Sequence, residues 1–345
     1  MSTNTISHES RTPDRVVTCW PAEASIWKEN LEPARLEFAA FLSALVEPAP
    51  GGKPLPLTVL VSNDETEASA RAALGDKAEY VRQNYGDVWT RDTAPVFLRR
   101  DGVLHAARFP FNGWGGKFQI PGDQTVGTAI ARMVGAEIID VPMIAEGGAM
   151  EFDGDGTVLT TRDVLLNKNR NGDLTEAEVV ERLKTGLGVE KVLWLDEGLV
   201  GDHTDGHIDN VARFVRPGMV VCQQPYGDDD PQTEVLGAIA RQLSQMTDAR
   251  GRKLQVRFIP SPGRVLNSAG DILPASYMNW VIGPRNLVVP TYGTPSEAAA
   301  LEALRGLFGD HKIVGCRARG ILSGGGAFHC VTTHIPALAT EGTKS

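Results

Sequence analysis

Residues 211–246 read VARFVRPGMVVCQQPYGDDDPQTEVLGAIARQLSQM. Two runs rich in β-branched residues, VARFV and MVVCQ, flank Pro217-Gly218, a pair suited to a tight turn. From Gln232 the stretch QTEVLGAIARQLSQM reads as a helix. A strand pair followed by a helix is therefore the unit to look for elsewhere. It recurs. Strand pairs turn at Asp101-Gly102 in VFLRRDGVLHAARF, at Asp153 to Gly156 in MEFDGDGTVLTT, and around Pro284 to Asn286 in WVIGPRNLVVPT. FHCVTTH, near the C-terminus, supplies a fifth strand segment. Helical stretches start near Asp64, Gln124, Leu174, Gln232 and Ser296, about 50 to 64 residues apart, a period typical of repeated supersecondary units. A further helical stretch, AEASIWKENLEPARLEFAAFLSAL, precedes them. Strand pairs alternating with helices predict an α/β protein of mixed strand direction, able to close into a ring, and exclude an all-parallel sheet.

The reactive side chains hold similar places in these units. Asp92 lies just ahead of the first hairpin, Glu146 ahead of the second, and His207 with Asp209 ahead of the third. Cys330 falls on the last strand segment. Around a pseudo-symmetry axis such positions converge, and residues remote in sequence share one pocket.

The chain has 345 residues, enough for one large domain or two ordinary ones. The organisation predicts a disordered polar tail over 1–14 and a single catalytic domain over 15–340. Hydrophobic residues make up 42% and charged residues 22%, ordinary for a soluble enzyme. No apolar run approaches the ~20 residues that span a bilayer. MSTNTISHESRTPD has neither a basic nor an apolar signal region, so no export signal is expected and the cytoplasm is the expected location. Cys19, Cys222, Cys316 and Cys330 are widely spaced, which predicts four reduced thiols. A formal net charge of −9 argues against a nucleic-acid surface and suits a cationic substrate.

Cys330 ends SGGGAFHC (323–330), whose glycines permit close approach to a ligand; the plainer reading is a buried strand cysteine. GDHTDGHIDN (201–210) holds three carboxylates and two histidines, costly to bury unless paired or used, and otherwise a solvated loop. His203 and His207 are four apart, but a zinc pair at that spacing normally rides a helix, which Gly206 disfavours. Asp92 sits in NYGDVWTRDTAP and Glu146 in EGG; a surface ion pair and a turn carboxylate are their plain alternatives. Trp114, in FNGWGG, otherwise reads as a packed turn tryptophan. NKNRNGDLTEAE (167–178) follows calcium-loop spacing, but Asn at its first, third and fifth positions lacks the ligand charge.

Together VWTRDTAP, FNGWGG, EGGAMEFDGDGTVLTT, LLNKNRN, DGHIDNVARFV, LPASYMNW and GGGAFHC, in this order, resemble the agmatine deiminase family. That family belongs to the wider guanidino-group-modifying superfamily, with the arginine and peptidylarginine deiminases. The match runs from Trp20 to Thr333. It implies a five-bladed α/β propeller of pseudo-repeated ββαβ units, and hydrolysis of agmatine to N-carbamoylputrescine and ammonia, on the route to putrescine and polyamines. It implies Cys330 as nucleophile, His207 as acid/base, Asp92 and Asp209 as guanidinium-binding carboxylates, and Glu146 as a further active-site carboxylate. Its LLNKNRN segment coincides with the calcium-like loop, which weighs against that ion. Ala94 and Ala327-Phe328 depart from the family pattern, in pocket shape and not in reactive groups.

The chemistry fits these side chains. A guanidinium carbon is a poor electrophile that calls for a strong nucleophile such as thiolate, and its planar N–H fork calls for carboxylates. On an extended strand His207 and Asp209 would point to the same side. No metal or organic cofactor is needed. Trp89 and Trp114 are candidates for packing the substrate's methylenes. The competing readings are deimination of arginine in peptides and, in a different class, a non-catalytic calcium- or ligand-binding propeller. The sequence leaves the oligomeric state, and so a homo-oligomer, open.

Overall fold

The computed structural model describes residues 4–6, 8–9 and 12–337. Its strands form five small sheets, the blades of an α/β propeller. In chain order, β1 (Asn4–Thr5) lies antiparallel to a later strand, and β2 (Arg15–Cys19), β3 (Leu57–Val61) and β4 (Glu79–Arg82) pair in parallel. The next blade pairs β5 (Val96–Arg100), which β1 joins, with β6 (Val103–Arg108) as a hairpin. Its β7 (Glu137–Asp140) is parallel to β6. The same order builds β8 (Glu151–Phe152), β9 (Thr157–Thr161) and β10 (Lys191–Leu195). It also builds β11 (Ala212–Arg216), β12 (Met219–Gln224) and β13 (Gln255–Pro260), and then β14 (Val281–Ile282), β15 (Asn286–Thr291) and β16 (Lys312–Arg317). Finally β17 (Thr333–Ile335) returns to lie antiparallel to β2, so the two ends of the chain close the ring.

Each blade follows from local chemistry. A hairpin needs only a short turn, and Asp101 and Gly102, at φ 51° and 82°, supply the left-handed pair that matches strand twist. A parallel partner needs a crossover. Helices Asp123–Met133, Glu176–Leu187, Thr233–Gln245 and Glu297–Arg305 supply it. The third helical stretch, expected near Leu174, starts where Thr175 and Glu178 form a capping box. The last residue of the calcium-like loop is thus spent on the helix cap. Central strands such as β3 and β9 are buried along their whole length, while β4 and β7 at the blade edges are half exposed or exposed. The helices pack on the sheets through apolar stripes. Val235, Leu236, Ile239 and Leu243 share a cluster with Val220 and Leu195, each contributing ~1.5–3 kcal/mol on burial.

Four details differ from the sequence expectation. The stretch 22–45 is broken at Lys28, whose φ of 49° ends one short helix before Leu31–Leu45 begins. In FHCVTTH only Thr333–Ile335 is strand, and Cys330 lies in the turn before it. Residues Ile208–Asn210 form a 3-10 turn, not a strand. Part of the segment expected to be a disordered tail is placed: Asn4–Thr5 pairs with Arg99–Arg100, and Glu9 is ion-paired among buried groups. Residues 1–3, 7, 10 and 11 of that segment lie outside the described residues. Among the described residues no helix is long and apolar enough to cross a membrane.

Candidate active site

Every blade carries a polar residue a few positions ahead of its hairpin or closing strand. Asp92 sits in the short helix Thr90–Thr93 before β5. Glu146 precedes the 3-10 turn Gly147–Ala149 before β8. His207 and Asp209 precede β11, Asn279 precedes β14, and Cys330 precedes β17. Short turns at these places aim side chains out of the sheets and into the middle of the ring. All six are buried.

The distances show how closely they meet. The thiol Sγ of Cys330 lies 3.5 Å from Asp209 Oδ2. His207 Nδ1 is 3.7 Å from Asp92 Oδ1, and His207 Nε2 is 3.6 Å from Glu146 Oε2. These are ion contacts, too long for hydrogen bonds. A side chain begun at Gly148 would stand 2.6 Å from His207 Nδ1, 2.8 Å from Asp92 Oδ1 and 3.2 Å from Asp209 Oδ2. One residue of one blade therefore touches three reactive groups from two others. Gly148→Ala should lower kcat/KM by at least about a hundredfold with little loss of secondary structure, because small misplacements of reacting groups are that costly. Steady-state kinetics beside circular dichroism checks this, and unchanged kinetics would refute the packing.

A model of the Porphyromonas-type peptidyl-arginine deiminases matches residues 5–336. The chain belongs to this deiminase family. A relative from Marinomonas sp. (strain MWYL1) named "Putative agmatine deiminase" is 33% identical, over 95% of this chain and 93% of the relative. Another of that name, from Latilactobacillus sakei, is 35% identical over 93% of both chains. The solved agmatine deiminase of Enterococcus faecalis is 31% identical and superposes with a TM-score of 0.90, each chain covered to 96%.

In this deiminase the carboxylates are held by partners on neighbouring blades. Asp92 Oδ1 accepts from Gly148 N at 3.0 Å and Asp92 Oδ2 from Trp114 Nε1 at 2.9 Å. Trp114 is thus an anchor of Asp92 as well as a candidate wall. Trp89 is fixed by Asp87, which accepts from its Nε1 at 2.8 Å. Its ring edge and Cys330 Sγ lie 2.7 Å and 3.0 Å from where a side chain at Gly326 would begin. Trp89 therefore lies beside the thiol.

Glu146 Oε1 accepts from Arg170 Nε at 2.7 Å, and Arg170 also pairs with Asp205 Oδ2 at 2.7 Å. Arg170 lies in LLNKNRN, so the calcium-like loop contributes a cation to the site. Asn279 Nδ2 lies 3.1 Å from Cys330 Sγ, while its Oδ1 accepts from the backbone N–H of His329 and of Cys330. Asn279, Arg170 and His329 were not among the residues expected from sequence. The fourth hairpin was itself legible, and the repeat of polar residues ahead of each hairpin points to Asn279.

Burial and charge set the protonation states. Burial raises Asp92, and the neighbouring Asp209 and Glu146 carboxylates add to this against the lowering effect of His207, leaving it at about 6. Burial opposes the charge on His207 too, but Asp92, Glu146 and Asp209 outweigh it and bring it up to about 9. Burial likewise pushes Asp209 up, and His329, His207 and Arg213 more than reverse this, holding it below the usual carboxylate range. Burial, then Asp209 and Asp92, drives the Cys330 thiol well above its ordinary value. The resting site therefore holds a neutral thiol against Asp209 and an imidazolium between Asp92 and Glu146. Asp209 Oδ1 is buried with no hydrogen-bond partner. The carboxylates suit a flat cation.

Proposed function

We propose that this protein is an agmatine deiminase, hydrolysing agmatine to N-carbamoylputrescine and ammonia. The observation that carries the reading is the Cys330 thiol set against Asp209, with Asp92 and His207 meeting at Gly148. The names and likeness of the relatives support the choice of substrate.

The guanidinium donates its N–H groups to Asp92 and to the unpartnered oxygen of Asp209. Its positive charge offsets the two carboxylates that hold the thiol protonated, so the thiol releases its proton to solvent as the substrate enters. The thiolate attacks the guanidinium carbon and forms a C–S bond. His207 gives its proton to the departing nitrogen, the C–N bond breaks, and ammonia leaves an amidino-thioether on Cys330. Neutral His207 then takes a proton from water as that oxygen adds to the same carbon. The C–S bond breaks, the hydroxyl proton of the adduct passes to the leaving sulfur, and the ureido product and the neutral thiol of the resting site form. Glu146, itself held by Arg170, keeps His207 charged and oriented. Asn279, donating to the sulfur, steadies the anion.

Product analysis after separate incubation with agmatine, free arginine and an arginine-containing peptide tests the substrate. A ureido product and ammonia are expected from agmatine. Citrulline from the peptide, with agmatine untouched, would replace this reading by peptidylarginine deimination, the activity in the name of the family model.

A pH profile tests the roles. Asp92 works as the charged form, and its value is raised to about 6, so kcat/KM falls as pH drops through about 6. His207 works as the protonated form, and its value is raised to about 9, so kcat/KM also falls as pH climbs past about 9. The expected curve of the free enzyme is a bell between those limits. Constant kcat/KM through both limits would remove Asp92 and His207 from their assigned roles.

A further inference from the structure

Next to Asp209 and Cys330 lies a second charged cluster that the reaction above leaves unused. Its centre is Glu9, from the N-terminal segment. One oxygen, Oε1, pairs with Arg91 Nη1 at 2.9 Å; the other, Oε2, lies 2.6 Å from Arg213 Nη2 and 2.9 Å from His329 Nε2. The opposite nitrogen of the same ring, His329 Nδ1, lies 2.8 Å from Asp209 Oδ2. The segment is seated next to this point, with His8 Nε2 3.2 Å from the Phe214 carbonyl. A side chain begun at Gly154 would stand 2.6 Å from His8 N.

Two of these contacts lead to reacting groups. Arg91 precedes Asp92, and its backbone N–H donates to the Cys330 carbonyl at 3.1 Å. His329 precedes Cys330 and grips the oxygen of Asp209 that faces the thiol. It thereby leaves Asp209 Oδ1 for the substrate. We propose that Glu9 is a positioning residue of the deimination reaction, acting through His329 to hold Asp209 as an oriented anion beside Cys330.

A ring between two carboxylates donates to both only as imidazolium, since neutral imidazole has a single N–H. The titratable and charged groups around it, besides Glu9 and Asp209, are Arg91, Arg213, His334 and Glu151. Burial lowers His334 to about 3, with Arg91, His329 and Arg213 adding to the effect against Glu9, so that neighbour is neutral. Without Glu9 the ring would face two arginines with a single carboxylate partner left to accept from it. The positive charge that offsets Asp209 would be less well held, and the thiol harder to ionise.

The proposal rests on the deiminase reading, and the test separates the two. Wild-type turnover of agmatine, abolished in Cys330→Ala, establishes that reading independently of Glu9. Glu9→Gln keeps the shape and removes the charge. Its kcat/KM is expected to fall by about tenfold to a hundredfold, the range for a lost hydrogen bond to a charged group. His329→Gln keeps an N–H toward Asp209 without the charge, and should lose about a hundredfold. Adding Glu9→Gln to it should cost little more, since Glu9 acts through the ring. Wild-type kinetics in Glu9→Gln, or losses that multiply in the double variant, would overturn the proposal. If Glu9→Gln fails to fold, His329→Gln decides alone, and wild-type kinetics in that variant would overturn it.

Discussion

Cys330→Ala should lower agmatine turnover by at least about ten-thousandfold while leaving agmatine binding within a few-fold of wild type, as expected where the deleted group forms the covalent bond. In the proposed mechanism the substrate is held by charge, and the oxygens of Asp92 and Asp209 remain when the sulfur goes. Removing the sulfur also removes a neighbour whose ionisation those carboxylates oppose, so binding has no reason to weaken. No other thiol can stand in. Cys222 and Cys316 are pushed up to about 12 and about 11 by burial, and burial followed by Asp123 and Asp87 raises Cys19. None of the three lies among the site's carboxylates. Calorimetric titration with agmatine beside a single-turnover assay checks both halves. Undiminished turnover would end the mechanism; lost turnover with lost binding would make Cys330 a structural residue.

Asp209→Asn should cost at least about a thousandfold in kcat/KM, the scale of breaking one partner out of a buried ion pair. In the proposed mechanism the Asp209 carboxylate serves three neighbours at once: His329, the thiol and, through its free oxygen, the substrate. An amide is isosteric but uncharged, and its NH2 would face either an imidazolium or a guanidinium. Asp92→Asn should lose activity on a similar scale, yet the two variants should differ in stability.

Asp209 is held below its ordinary value by the folded protein, so its charge contributes stability above the unfolded carboxylate's range. That contribution is lost as pH falls through the folded value. Asp92 is raised to about 6, so its ionisation costs stability as pH rises through the interval up to about 6. Near pH 8 the Asn variant at 209 should therefore melt lower than wild type. The Asn variant at 92 should melt no lower, and by this reasoning higher. Calorimetry of both substrate-free proteins reads the signs, and equal shifts in one direction would contradict the electrostatics of the site.

Much of this was legible before any coordinates. Turn pairs such as Asp101-Gly102 and Pro217-Gly218 mark hairpins because few residues tolerate those angles, and each helix began within two residues of its expected start. The carboxylates Asp92, Glu146 and Asp209 stood out because they lie just ahead of the predicted hairpins, in segments that resemble the motifs of the family. Glu178 shows the opposite case, a residue with ion-binding spacing that in the fold caps a helix. Asn279 and Arg170 escaped because a neutral amide and a surface-type cation carry no warning in sequence. Each becomes notable only when a sulfur or a carboxylate from another blade is brought to it. Glu9 escaped for a stronger reason: a polar stretch of chain looks the same whether it is solvated or packed beside a buried site.

Local preferences thus settled, from the sequence alone, the repeating strand-pair and helix units and the inventory of reactive side chains, since turns, caps and periodicity act over a few residues. Which blade faces which, which oxygen of Asp209 stays free, and how far Cys330 and His207 move from their ordinary ionisation were decided only on folding. Those properties depend on distances between residues more than a hundred positions apart in the chain and on the exclusion of water from the space between them.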